Sequence, residues 1–485
     1  MRSTLPLPIL AAALGAGLLT ACSDGGPLGT TGVDPVVESV ESVGAELDRQ
    51  LMLELQMSGF TGRIEERLSE MLGRPVDNRL AEIGRLLFFD PILSITQDNS
   101  CSGCHGPNVS FNDSQPISIG VENNGVVGPT RSGPHNLRRA PSVINAALYP
   151  NLMWEGRFAA GSLSPFDNSL GFVFPEPEGD DLSFMDHLLG AQAFTPVVAR
   201  MEMTGFDFVG TNDEIRAEIA ARVDAIPEYR SRFAEVFPDI EAGGALTYAH
   251  IGSAIAEFGF TLVRADAPVD RYARGDTAAL TEDQKRGGIL FYEPLASCTE
   301  CHITAGFTNE MFSDFESRVL AVPQVVPTVT NADFDGPARN EDFGLERVTG
   351  DPADRYKFRT TPLRNLVYSP SLMHNGAFVC LEDAIRHHID PIGSLEAYKT
   401  DHLPSTLQGP MGPFEPMLDR LHTIGRQPDR HLTDEQYRQL TAFVGPGLSD
   451  PDAAPDALRY LIPASVPSGL PVHDFDFAIV PPPCG

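Results

Sequence analysis

Apolar side chains recur at helical spacing in several stretches of the chain. The first, 44–72, carries Leu47, Leu51, Leu55, Ile64 and Leu68 in that register. The second, 80–89, ends at Asp90-Pro91, where proline bars a further turn. Further helices are predicted over 211–224, with Asn212 as its cap and Glu214 in the first turn, and over 227–237, 247–263, 281–291, 381–388 and 434–443. Residues 106–180 are rich in Gly, Pro and Asn and read as long loops, and 267–276 reads as a polar connection. No strand-like alternation extends far. The pattern predicts a mainly α, loop-rich chain in two domains divided near residue 268.

The amino terminus departs from this pattern. Arg2 precedes an apolar run from Leu5 to Leu19, and Leu19-Thr20-Ala21-Cys22 closes it on small residues and a cysteine. The run is too short to span a bilayer and reads as a signal segment, residues 1–21. The cysteine at the cleavage point resembles the lipobox of bacterial lipoproteins. Cys22 is then expected to carry the lipid anchor, with 22–40 as a flexible tether and the body of the protein outside the cytoplasm, in the periplasm.

Composition narrows the possibilities. The 485 residues leave no doubt about room for a core, and Asp and Glu outnumber Lys and Arg by 66 to 35, a formal charge of −31. A phosphate backbone would be repelled, which excludes nucleic acid as a partner. The cysteines carry the chemistry. Cys101-Ser-Gly-Cys104-His105 and Cys298-Thr-Glu-Cys301-His302 are two copies of C-x-x-C-H, the attachment signal for c-type haem. Two thiols three positions apart reach both vinyl groups of one porphyrin, and the following His is placed to ligate its iron. Zinc is the competing reading, but its paired motifs usually lie ~15–20 residues apart. A redox disulfide is the other, and it leaves the repeated His without a purpose.

Two covalent haem c groups are therefore expected, in two mainly α, loop-rich, cytochrome c-like haem domains. The N-terminal haem domain is expected over 41–268, the C-terminal one over 269–449, with a tail over 450–485. Cys380 and Cys484 remain, and an oxidising compartment favours pairing them, which would pin the tail.

Further segments resemble the bacterial di-haem cytochrome c peroxidases, the superfamily that also holds the di-haem enzymes that cross-link tryptophans in a partner protein. They run in family order: 83–94, the first C-x-x-C-H, 141–145, Trp154-Glu155-Gly156-Arg157, Glu202-Met203, Asp270-Arg271-Tyr272, the second C-x-x-C-H, 358–365 and His374-Asn375-Gly376. The resemblance covers about residues 80–445, with an insertion near 159–190. It implies reduction of hydrogen peroxide to water, with electrons from a small soluble donor such as a c-type cytochrome or a cupredoxin, and a homodimer as the assembly. It also implies His105 and His302 as proximal iron ligands, Glu202 as the proton-moving carboxylate, and Trp154 as an electron bridge between the haems.

The sequence departs from that family twice. Val121 stands where several members carry a His that blocks the peroxide site until half-reduction, with His135 the nearest substitute. Pro370 stands where the notional Met ligand of the second haem is expected, leaving Met373 or Tyr368 as alternatives. The family's calcium site involves an Asn that aligns with Arg139, which leaves calcium open. A di-haem oxidase acting on a partner protein or organic substrate, and a non-catalytic electron carrier, are the alternative functions.

Overall fold

Two helix crossings organise the chain, seen in a computed structural model that describes residues 40–174, 182, 184–302, 310–423 and 430–479. The leader, Cys22, the tether up to residue 39 and Cys484 lie outside the described residues. In the first crossing, helix Asn78–Phe89 lies against Tyr248–Phe260. A Cβ on Gly84 would collide with the carbonyl of Ala254. In the second, Glu282–Tyr292 lies against Asp434–Val444, and a Cβ on Gly287 would collide with the carbonyl of Gln439. Only glycine permits backbones this close. Phe258 and Phe443 occupy equivalent places beside the two glycines.

The repetition continues beyond the helices. Asn145 and Asn365 both adopt left-handed backbone, with φ of 63° and 65°. So do Met153 and Met373, at 67° and 70°, and Gly156 and Gly376, at 69° and 64°. Residues 145–156 and 365–376 share the spacing Asn-x4-Pro-x-Leu-Met-x-x-Gly, so Trp154 and His374 occupy equivalent positions. Both asparagines donate from Nδ2 to one acceptor, the carbonyl of Arg264, at 2.9 and 3.3 Å.

The mainly helical expectation holds, with short strands only. Asn151–Leu152, Phe158–Ala160 and Phe172–Val173 form an antiparallel sheet within the loop-rich stretch, and Ser317–Val319 pairs with Lys357–Arg359. The cap of helix Asn212–Asp224 is Thr211 rather than Asn212. Thr211 Oγ1 accepts from the Glu214 amide at 3.2 Å while Glu214 Oε2 accepts from the Thr211 amide at 2.8 Å, a reciprocal box that Asn212 cannot make. The supposed polar connection contains a helix, Pro268–Ala273, because Val269, Asp270 and Tyr272 are buried and Pro268 starts it. Helices Pro391–Ala397 and Glu415–Thr423 are additional to those the sequence pattern singled out, the second burying Met417 and Leu421 one turn apart.

The compact unit runs from Gly44 to Gly485, and its two ends exchange sides. Helix Val40–Met57 packs Leu51 at Gly288, and its Asp48 accepts from the Tyr272 hydroxyl at 2.9 Å and pairs with Lys285 at 2.6 Å. The tail returns to the first half. Leu458, Leu461 and Val466 are buried with Phe88, Phe89, Phe111 and Phe258. Asp474–Phe475 pairs in parallel with Val126–Val127, and Ser468 Oγ donates to Asp90 at 2.6 Å. Cys380 is buried and disulfide-bonded. No helix among the described residues is long and apolar enough to cross a membrane.

Candidate haem sites and the residues between them

The first motif is a helical turn, Cys101–Cys104, followed directly by His105. Burial pushes the Cys101 and Cys104 thiols up to about 12 and holds the His105 imidazole below its ordinary value. A neutral imidazole in apolar surroundings is the form that ligates iron. At the second motif burial likewise lifts Cys298 to about 12 and lowers His302. The His302 Nδ1 is bonded to the carbonyl of Phe312 at 2.8 Å, which fixes the ring and leaves Nε2 as the ligating nitrogen.

A cavity of about 260 Å³ opens at the second motif, lined by Cys298, Cys301, His302, Met373, His374 and His388 among others. Beside Arg364, which is paired with Asp270, two further buried arginines line it, Arg139 and Arg359. Burial pulls each guanidinium down to about 10, and neither forms an ion pair within 4 Å among the described residues. Arg139 donates to Ser371, to Ser369 at 2.8 Å and to the Asp113 carbonyl at 3.1 Å; Arg359 donates to the Met153 carbonyl at 2.9 Å. Two buried cations without carboxylates are costly unless an anion joins them. The two propionates of a haem would supply that charge. Thiols, imidazole, apolar walls and unpaired guanidinium groups therefore fit the group that the motif implies.

Trp154 forms part of the same wall. Its Nε1 donates to the Arg139 carbonyl at 2.7 Å, and its own carbonyl accepts from the Arg359 amide at 2.7 Å. The next residue, Glu155, is buried and pairs with Arg138, which also clasps Asp342 at 2.6 and 2.7 Å. Burial opposes ionisation of Asp342, but Arg138 outweighs it and holds that carboxyl at about 2. Arg157 sits 3.3 Å from Glu155.

Glu202 lies in a single π-helical turn, Arg200–Thr204. Asn99 Nδ2 holds its carbonyl at 2.9 Å, and the Val121 amide donates to the neighbouring Met201 carbonyl at 3.1 Å. Glu202, Val121 and the first motif are thus brought together. Burial raises the Glu202 pKa; Arg157 works against the rise and Glu155 adds to it. The Glu202 charge is felt at both Cys101 and Cys104. A carboxyl kept above its ordinary range beside a haem motif is suited to taking and returning a proton.

The remaining candidates fall elsewhere. His135 has both ring nitrogens engaged, by the Ile117 carbonyl at 2.9 Å and Thr406 Oγ1 at 3.0 Å. Tyr368 gives its hydroxyl to the Asp450 carbonyl at 3.1 Å. Met373 lines the second cavity, next to His374, whose ring stacks on Phe358 at 3.7 Å. Sequence reasoning passed over His388. That ring faces His302 across the cavity, with centroids 6.2 Å apart. The signal was present as a His one helical turn beyond Ala384, but its neighbour His387 obscured which of the two turns inward.

Residues 78–278 match the family model of the di-haem cytochrome c peroxidases. The cytochrome c551 peroxidase of Pseudomonas aeruginosa is 28% identical over 330 residues, 68% of this chain and 77% of its own. The methylamine utilization protein MauG of Methylorubrum extorquens is 28% identical over 461 residues, 93% of this chain and 98% of its own. Among solved structures, a MauG-like protein associated with microbial copper homeostasis superposes with a TM-score of 0.55 at 26% identity, over 78% of this chain and 92% of that one. The di-haem peroxidase BthA of Burkholderia thailandensis shares the fold, with a TM-score of 0.52 at 21% identity over 82% of this chain and 90% of its own. The order of the motifs, the repeated helix crossings and these likenesses agree: residues 78–278 match the di-haem cytochrome c peroxidase family, and the chain is similar over most of its length to oxidoreductases of that kind.

Proposed function

We propose that the protein reduces hydrogen peroxide to water, taking two electrons from a soluble donor protein and two protons from solvent. One haem c would be held by Cys101, Cys104 and His105, and a second by Cys298, Cys301 and His302. The groups would supply the open iron position for peroxide and the store of electrons. Glu202 is the single observation that carries this reading. Its half-buried carboxyl stands near the first motif with a raised pKa, so it can accept the proton of one peroxide oxygen and return it to the other as water leaves. Arg157, whose charge reaches Glu202, keeps the ionised form accessible. Trp154 stands on the wall of the second cavity, and the Glu155 and Arg157 that follow it reach Glu202 through their charges. That placement supports Trp154 as the bridge for electrons between the two sites.

Val121 supports a site open from the start, because an alkyl side chain cannot ligate iron. The same feature favours a second reading, a di-haem oxidase acting on a partner protein or organic substrate, to which the near full-length match with MauG adds weight. We place the protein in the periplasm, held to a membrane surface through Cys22. Steady-state consumption of peroxide with a reduced c-type cytochrome tests the proposal. Turnover is expected; a holoprotein carrying two haems that consumes no peroxide with any small donor would shift the reading to the oxidase.

A further inference from the structure

We infer that His388 is the second axial ligand of the iron held at the Cys298-x-x-Cys301-His302 motif, making that centre bis-histidine. The inference rests on the haem reading of this motif. Two metal–imidazole bonds of roughly 2 Å, with each ring centre about an ångström further out, require centroids about 6 Å apart. The rings of His302 and His388 stand 6.2 Å apart and both line the cavity. Each ring is fixed by a bond from Nδ1 to a backbone carbonyl, Phe312 at 2.8 Å for His302 and Ala384 at 2.7 Å for His388. A donor at Nδ1 selects the tautomer whose Nε2 carries the lone pair.

The helix Leu381–Ile389 explains why His388 and not His387 has this place. Leu381, Ala384, Ile385 and His388 follow the helical period and line the cavity together. His387 points elsewhere, with its Nε2 at the Leu320 carbonyl at 2.9 Å and its Nδ1 at Ser394 Oγ at 3.0 Å. Met373 is in the wall but belongs to a strained, left-handed turn that repeats Met153 of the first half. The repeat accounts for Met373 without any role at iron.

Two imidazoles favour ferric iron more than an imidazole and a thioether do, so this centre is expected to hold its electron less tightly than a His–Met haem. The test uses the full-length holoprotein and its variants His388→Ala, His388→Met and Met373→Ala, each first weighed for two attached haems. Near-infrared magnetic circular dichroism and EPR then report the ligands of the diferric state. Wild-type protein is expected to show one low-spin bis-imidazole haem. His388→Ala should lose that signature to a high-spin one, and His388→Met should replace it by a thioether signature with an upward shift of the potential. Met373→Ala should change neither. A bis-imidazole signature that survives His388→Ala, or a low-spin signal that vanishes in Met373→Ala, overturns the inference. A peptide containing Cys298 and Cys301 that carries no haem overturns the reading beneath it instead.

Discussion

Arg364 and Asp270 face each other through hydrogen bonds of 2.7 and 2.8 Å, with side chains only 1% and 0% exposed. The pair ties the short helix Pro268–Ala273 to the loop that lines the second cavity, and the guanidinium also lies over the rings of Phe60 and Phe312. Removing one partner leaves the other charge buried alone, at a cost of about 3–5 kcal/mol. Asp270→Asn and Arg364→Met should each lower the denaturation midpoint strongly. The double replacement Asp270→Leu with Arg364→Met should recover much of the loss, which chemical denaturation of the holoproteins measures.

Glu202→Gln should reduce peroxide turnover about 10²-fold, the usual weight of a general acid–base, with both haem spectra unchanged. The pH dependence has a definite sign. Only ionised Glu202 accepts a proton, and burial raises its pKa above the ordinary glutamate range of about 4.3. Turnover should therefore fall as pH drops through that raised value, on a limb that disappears in Glu202→Gln. A limb unchanged in the variant would assign the proton to another group.

Val121→His should restore a gate. Val121 is buried, and the hydrogen bond its amide donates to the Met201 carbonyl holds it beside the turn of Glu202. Fully oxidised wild-type protein is expected to react with peroxide on mixing. The histidine variant should show a lag that pre-reduction removes, read by stopped-flow absorbance.

The helical periods, the haem motifs and the meeting of Glu202 with the first motif were legible in the sequence, because each depends on local spacing or on a resemblance. Other features depend on distant packing. Nothing near Asp270 announced that it would be buried, so its helix looked like a polar link; Arg364, almost a hundred residues on, decides it. The repeat around Met153 and Met373 was visible as spacing, yet its left-handed turns gave it meaning only in three dimensions. Adjacent histidines 387 and 388 are alike in sequence, and only the phase of their helix separates a ring facing His302 from one bonded to Leu320 and Ser394. The tail had no recognisable pattern because its apolar residues are completed by Phe88, Phe89 and Phe258, far away in the chain.

That tail supplies a fourth expectation. His473 is buried beside Arg131, and burial first and the guanidinium second pull its pKa down to about 4. In an unfolded chain the value is about 6.5. The folded state binds the proton less well, so stability is lost as pH falls from about 6.5 towards 4, by about 3 kcal/mol in full. Hydrogen exchange in 466–476 should rise on acidification over that window. The rise should be much smaller in His473→Phe, while equal exchange in the two proteins would show that other groups release the tail.

The carbonyl of Arg264 has a consequence for the proposed passage of electrons between the two halves. Because Asn145 and Asn365 hang from that one oxygen, the two halves cannot slide or twist independently without surrendering a part-buried hydrogen bond on one side. For the electron path proposed between the two haem motifs, the gap to be crossed would then be a fixed dimension of the scaffold. Rates of passage would be governed by driving force at the two irons, and hardly at all by viscosity or by slow breathing of the chain.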